Sequence, residues 1–213
     1  MLLGVNGLGF GLPFEGNSYH TGNVENSCVH CHMATPPGTG ATPPKAGSHS
    51  FSMRDNNGTP DNPSDDVLNA VNACGECHGP ITSYDVAALG DYDGDGALEG
   101  TQSEVRGLID ILRNGIIANF AGTSISESGA ISIGSSDFAN LTPDQKRAYY
   151  NVNFVIKDGS FGVHNTSYTV QLLQRSYIGV FNRTITEDYP RIVLRGPVPV
   201  RPPTDTGSWE LYD

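Results

Sequence analysis

Residues Ser27 to Met33 read SCVHCHM, and a second run, Ala73 to Pro80, reads ACGECHGP. Between them they hold every cysteine of the chain in two copies of one pattern: Cys28, Cys31, His32 and Cys74, Cys77, His78. On a helical turn, cysteines at i and i+3 share a face. Two sulfurs so placed can form thioethers with both vinyl groups of one porphyrin, and the histidine that follows can turn under the ring to give iron its proximal nitrogen. CxxCH is the attachment signature of c-type haem, which makes two covalent haems the expected cofactors. His30 sits between two tethered cysteines and Met33 directly follows the proximal histidine, so neither is placed to ligate the iron of its own haem.

Two other chemistries use paired cysteines. Zinc ribbons usually leave about 15–20 residues between CxxC pairs, whereas here residues 32–73 intervene. Zinc also gives no reason for a histidine directly after each pair. A disulfide framework suits an exported protein but likewise ignores the histidines.

Composition points the same way. At 213 residues the chain is long enough for one domain with a core. Its apolar fraction of 37% is below the usual about 45–50%, and its 26 glycines and 14 prolines imply much irregular backbone. Something besides apolar packing is expected to hold it. The net charge of -11 disfavours nucleic acid or an anionic membrane as a partner, and no apolar run of about 18 residues offers a membrane span. The apolar start lacks the basic region of a secretory signal, since the first Lys or Arg is Lys45. The expectation is therefore a mature form, or a chain whose upstream part has been removed.

Working outward, residues 1–27 read as a glycine-rich arm and 34–63 as turns. Ser64, Asp65 and Asp66 read as a helix start leading through Val67, Leu68 and Val71 into the second motif, with Pro80 ending it. Val105, Leu108, Ile109, Leu112 and Ile116 keep helical spacing behind a Ser103 cap. Residues 122–138 read as a loop. Thr142, Pro143 and Gln145 form a capping-box pattern that opens a helix to about 157, and Leu172, Leu173, Tyr177 and Val180 give another over about 167–181. In the tail, Pro190, Pro197 and Pro199 allow only edge or extended structure. The expected fold is a single, mainly α domain with extensive irregular loops and little β, nucleated by haem. It comprises an arm (1–27), a haem-binding core (28–182) and an extended proline-rich tail (183–213).

The runs CVHCHM, AGSHSF, ACGECH, GDYDGDGALEG and FGVHNTSYTVQLLQ, spread over roughly residues 20–180, resemble the C-terminal region of multihaem c-type cytochromes with bis-histidine haems. The resemblance implies that His49, in the GSHSF-like loop, and His164, at the HN-x-x-Y helix start, are distal axial ligands. Thr166 departs from the family, which often has proline there. His20, in the arm, is a further distal candidate for a haem of its own chain or of a neighbour. The family also implies a periplasmic or extracellular home, because c-type haem is attached outside the cytoplasm.

Asp91, Asp93 and Asp95 alternate, with Gly96 in sixth place, like the first half of a calcium loop. Gln102 stands where an EF-hand places its bidentate Glu, so Glu99, or Glu104 further on, is the expected substitute. The whole is expected to transfer electrons between other redox proteins or copies of itself, and in its sharpest form to be the subunit of an extracellular cytochrome filament. The rival is a dihaem enzyme, a peroxidase or a nitrite-reductase-like protein, with one open axial site.

Overall fold

The computed structural model describes residues 1–38, 45–59 and 61–196. The fold is mainly α-helical with long irregular connections and two small two-stranded sheets. Contacts divide the chain into two compact units, Tyr19–Tyr84 and Met1–Ser18 with Asp85–Asp213.

In the first of these, α1 (Tyr19–Asn23) and α2 (Cys28–His32) are single turns. Strands β1 (Arg54–Asp55) and β2 (Val67–Leu68) pair antiparallel, Arg54 opposite Leu68, and α3 (Ala70–His78) follows. The helix expected from Ser64 begins only at Ala70. Asn62 accepts from the Ser64 N–H and caps a 3-10 turn, Pro63–Asp65, and Asp66 is held by the Arg54 guanidinium at 3.0 Å. Val67 and Leu68 are thereby committed to the hairpin.

Helices this short do not stand on their own propensity, and apolar packing supplies little here. Among the described residues of Tyr19–Tyr84, the buried apolar side chains are Ala46, Ala70 and Ala73. Larger apolar groups face outward, Tyr19 at 87% exposure and Val29, Phe51 and Val71 close to half.

The second unit is built conventionally. Helices α4 (Thr101–Asn119), α6 (Pro143–Asp158) and α7 (Thr166–Phe181) pack together. Between α4 and α6 lie the hairpin β3 (Thr123–Ile125) and β4 (Ile131–Ile133) and the short α5 (Ser135–Asn140); α8 (Ile185–Asp188) ends the set. The expected stripe of α4 is buried in full, against Ala148, Val152 and Val155 of α6 and Leu172, Leu173 and Tyr177 of α7. Helix α7 is buried continuously from Tyr168 to Val180. A Cβ on Gly179 would stand 2.3 Å from the carbonyl oxygen of Asp144, so a glycine is what lets α6 and α7 approach this closely.

Three expectations change in this unit. Helix α4 starts at Thr101, because Asp85 takes the capping role from a distance: Oδ1 accepts from the N–H groups of Gln102 and Ser103, and the Ser103 hydroxyl donates to Oδ2 at 2.6 Å. Residues 122–138 hold a hairpin and the start of α5 where a loop was expected, the hairpin anchored by Asn153, whose amide meets both the N–H and the carbonyl of Ile131. The tail forms α8 behind a capping box of Thr184 and Glu187; its Pro197 and Pro199 lie outside the described residues. The first part of the glycine-rich arm is tied to this unit. Gly7 N–H donates to the Tyr168 hydroxyl, and Leu8 exchanges two hydrogen bonds with Asn151.

Candidate functional site

The two CxxCH motifs lie on α2 and α3, which pack on each other. Cys28 and Cys31 are one turn apart on α2, and Cys74 and Cys77 one turn apart on α3. Gly79, at φ 73°, ends α3 directly after His78. All four cysteines are free thiols, Cys28 and Cys77 exposed and Cys31 and Cys74 half-buried. The Cys74 thiol is pushed up to about 11, first by burial and then by Cys31 and Cys77. Cys31 is raised by burial, then by Cys28 and Cys77. Each motif therefore lies within electrostatic reach of the other. A tetrahedral zinc with bonds of about 2.3 Å to sulfur sets its sulfurs about 3.8 Å apart. Among the described residues, the trios of candidate ligand atoms within 4.8 Å of one another are acidic and include no cysteine.

The histidines divide between the units. His32 donates from Nδ1 to the carbonyl of Phe51 at 2.9 Å, and its ring stacks on the Phe51 ring with centroids 4.6 Å apart. A carbonyl accepts only, so this bond fixes the tautomer whose lone pair is on Nε2, the usual arrangement of a metal-ligating histidine. His49 is exposed on the 3-10 turn Ser48–Ser50, two residues before Phe51. His78 faces His20 of α1, with ring centroids 6.0 Å apart and planes at 73°. His30 points its Nε2 toward Glu76 at 3.9 Å.

His164 belongs to the other unit, beside the start of α7, whose cap is the Asn165 side chain accepting from Tyr168 N–H. Its Nδ1 meets both carboxylate oxygens of Asp158, at 3.0 and 3.1 Å. Burial raises the Asp158 carboxyl, but the hydrogen bonds from His164 and Ser160 outweigh it and leave the group below its ordinary range. Here too Nδ1 carries the proton. Phe51 and Asp158, which orient these rings, were not singled out in the sequence; their partners are fixed only by folding.

The acidic loop closes as two overlapping trios. Asp91, Asp93 and Glu104 converge within 4.8 Å, as do Asp93, Asp95 and Glu99. Glu104, fully buried near the start of α4, accepts from the N–H groups of Tyr92 and Glu99, while Asp91 accepts from those of Gly94 and Gly96. Burial first, then the carboxylates of Asp95, Glu104 and Asp91, push the Asp93 carboxyl up to about 6 against the lowering N–H of Asp95. No helix among the described residues is long and apolar enough to cross a membrane. Compared with protein-family models, curated proteins and solved structures, the chain matches none.

Proposed function

We propose that the chain is an electron-transfer protein carrying two covalent c-type haems, one on Cys28 and Cys31 with His32 as proximal ligand, the other on Cys74 and Cys77 with His78. The observation that carries this reading is the setting of the two CxxCH motifs: they occupy the helices of a unit whose buried apolar side chains, among the described residues, are three alanines. Small units of this kind need a cofactor, metal or cross-link in place of a core. The residues fit the group: thiols one turn apart, a histidine after each pair, and exposed Tyr19, Val29, Phe51 and Val71 for a macrocycle to cover.

When bound, each haem supplies an iron that gains and loses one electron. The chain supplies anchorage by four sulfurs, orientation of His32 through Phe51, and distal nitrogens from among His20, His49 and His164. Two imidazoles per iron leave no open position for substrate and set a lower potential than His/Met ligation. Helices α2 and α3 pack on each other, which brings the attachment points close, as electron exchange requires. In its sharper form the proposal makes the chain the repeating subunit of an exported filament, with other copies or other redox proteins as partners. The support is the surplus of histidines over two irons and the position of His164 in a unit without a CxxCH motif; electron micrographs showing only dispersed particles would remove this form.

The test is the mass and spectrum of the full chain exported from a host that attaches c-type haem. The denatured chain is expected to retain two haems, and the oxidised protein to show low-spin iron only. A chain without retained haem overturns the proposal, and a high-spin iron in the native protein favours the enzyme reading.

We also assign calcium to Asp91, Asp93 and Glu104, with Asp95 and Glu99 alongside. Clustered buried carboxylates are stable when paired or bound to a cation, and among the described residues no Lys, Arg or His forms an ion pair with these five. The pH dependence has a definite sign. Asp93 holds its proton more tightly folded than unfolded, so in calcium-free buffer its contribution to stability falls as pH rises from about 4 through about 6. Calcium reverses this, and at about 100 times its Kd it stabilises by about 2.7 kcal/mol. Thermal unfolding with chelator and with calcium, in the wild type and in Glu104→Gln, checks it: the calcium shift at pH 7 is expected to vanish in the variant. No shift in the wild type would remove the assignment.

A further inference from the structure

We infer that His20 is the distal ligand of the haem carried by Cys74 and Cys77, closing the face opposite His78 from within the same chain. The inference deepens the proposed function and rests on haem attachment at that motif.

The geometry comes first. Nitrogen–metal bonds of about 2.0–2.1 Å and about 1.2 Å from each ring nitrogen to its centroid set two opposed imidazoles on one ion about 6.4 Å apart, centroid to centroid. The His20 and His78 rings stand 6.0 Å apart. That exceeds the separation of rings stacked face to face, lies within the range of edge-to-face rings, and is close to the span that one intervening iron requires. Their planes cross at 73°, so the rings do not face each other as a stack would.

The placement is consistent at the level of the chain. His78 is the last residue of α3, one position after Cys77, and Gly79 turns the backbone away behind it. His20 is on α1, a single turn belonging to the same compact unit as both CxxCH motifs. Val24 N–H donates to the His20 carbonyl, which holds the turn closed. Tyr19 and Val71 remain exposed in this unit, on α1 and α3, the two elements that carry the facing histidines. His49, by contrast, shares a loop with Phe51, the orienting partner of His32. His20 thus belongs with the second motif.

The experiment uses the full haem-loaded chain and reads spin state and haem count separately. His20→Ala is expected to keep two haems by mass while about half of the oxidised iron turns from low to high spin in the electron paramagnetic resonance spectrum, with added imidazole restoring it. In the Cys74→Ala/Cys77→Ala background, which keeps one haem, His20→Ala is expected to change nothing. If His20→Ala is not recovered, His20→Met serves: one of the two haems should acquire a sulfur-to-iron charge-transfer band and a raised potential. Two retained haems with wholly low-spin iron in His20→Ala, or an unaltered spectrum in His20→Met, overturns the pairing and leaves haem attachment standing. A spin change that persists without Cys74 and Cys77 assigns His20 to the other haem and overturns it as well. A wild-type chain without haem overturns both inferences together.

Discussion

Serine at Cys28, Cys31, Cys74 and Cys77 together is expected to unfold Tyr19–Tyr84 and leave the bundle of α4, α6 and α7 folded. The four side chains are free thiols, Cys28 and Cys77 exposed and Cys31 and Cys74 half-buried, and serine is nearly the same size, so the exchange itself removes little packing. The effect comes from what they hold. Three buried alanine methyls contribute about 2–3 kcal/mol at about 0.8 kcal/mol per buried carbon, which orders only a residue or two at about 1–2 kcal/mol each. The hairpin of β1 and β2 adds two residue pairs, and α1 and α2 are single turns. The other unit keeps its own core, to which, among the described residues, only residues outside Tyr19–Tyr84 contribute. Hydrogen exchange read by mass spectrometry separates the outcomes. Amides of α3 should lose protection by several orders of magnitude, while those of α4 and α7 keep theirs. Unchanged protection of α3 would mean that backbone hydrogen bonds alone sustain the unit, and would take away the main support for haem.

What could be read along the chain divides by the range of the interactions involved. Helix α6 was legible to its first residue, because Thr142, Pro143 and Gln145 carry its start within four positions. The stripe of α4 was legible too, yet its start was misplaced by three residues, Gly100 standing where Ser103 was expected as the cap, since the Ser103 hydroxyl is engaged by Asp85, eighteen positions away. The hairpin of β3 and β4 has three residues per strand, too few for alternation to show, and its anchor is Asn153. Helix α8 was missed although Thr184 and Glu187 repeat the capping-box pattern used for α6; the prolines that follow drew the reading toward extended structure. At the site, CxxCH is a local pattern and stands on its helices as spaced. The juxtaposition of His20 with His78 was not legible, because His20 lies in a stretch without periodicity and its partner is on α3.

Arg175→Ala is expected to destabilise the helical unit by about 3–5 kcal/mol and to free residues 7–15 from α7. The side chain is fully buried, on the helix that is itself buried all round. Its guanidinium donates to the carbonyls of Leu12 and Pro13 at 3.1 and 2.9 Å and to Gln171 Oε1 at 3.1 Å, and lies over the Phe14 ring, 4.7 Å from the centroid. Burial lowers its pKa, with Glu15 acting in the opposite direction, but a guanidinium stays charged in a protein. The irregular residues 12–14 thus obtain their order from one planar fork. Alanine leaves a cavity and removes two part-buried bonds from a charged donor to the Leu12 and Pro13 carbonyls, each worth about 1.5–3 kcal/mol. Methionine fills the volume and removes the buried charge, so Arg175→Met should recover part of the loss. Lysine keeps the charge but offers it at one point, and should recover less order in residues 12–14 than its charge suggests. Urea unfolding gives the ranking, and limited proteolysis within residues 7–15 reports the arm. Equal stability of wild type and Arg175→Ala would mean that the arm is held through Tyr168, Asn151, Gln171 and Ser167 instead.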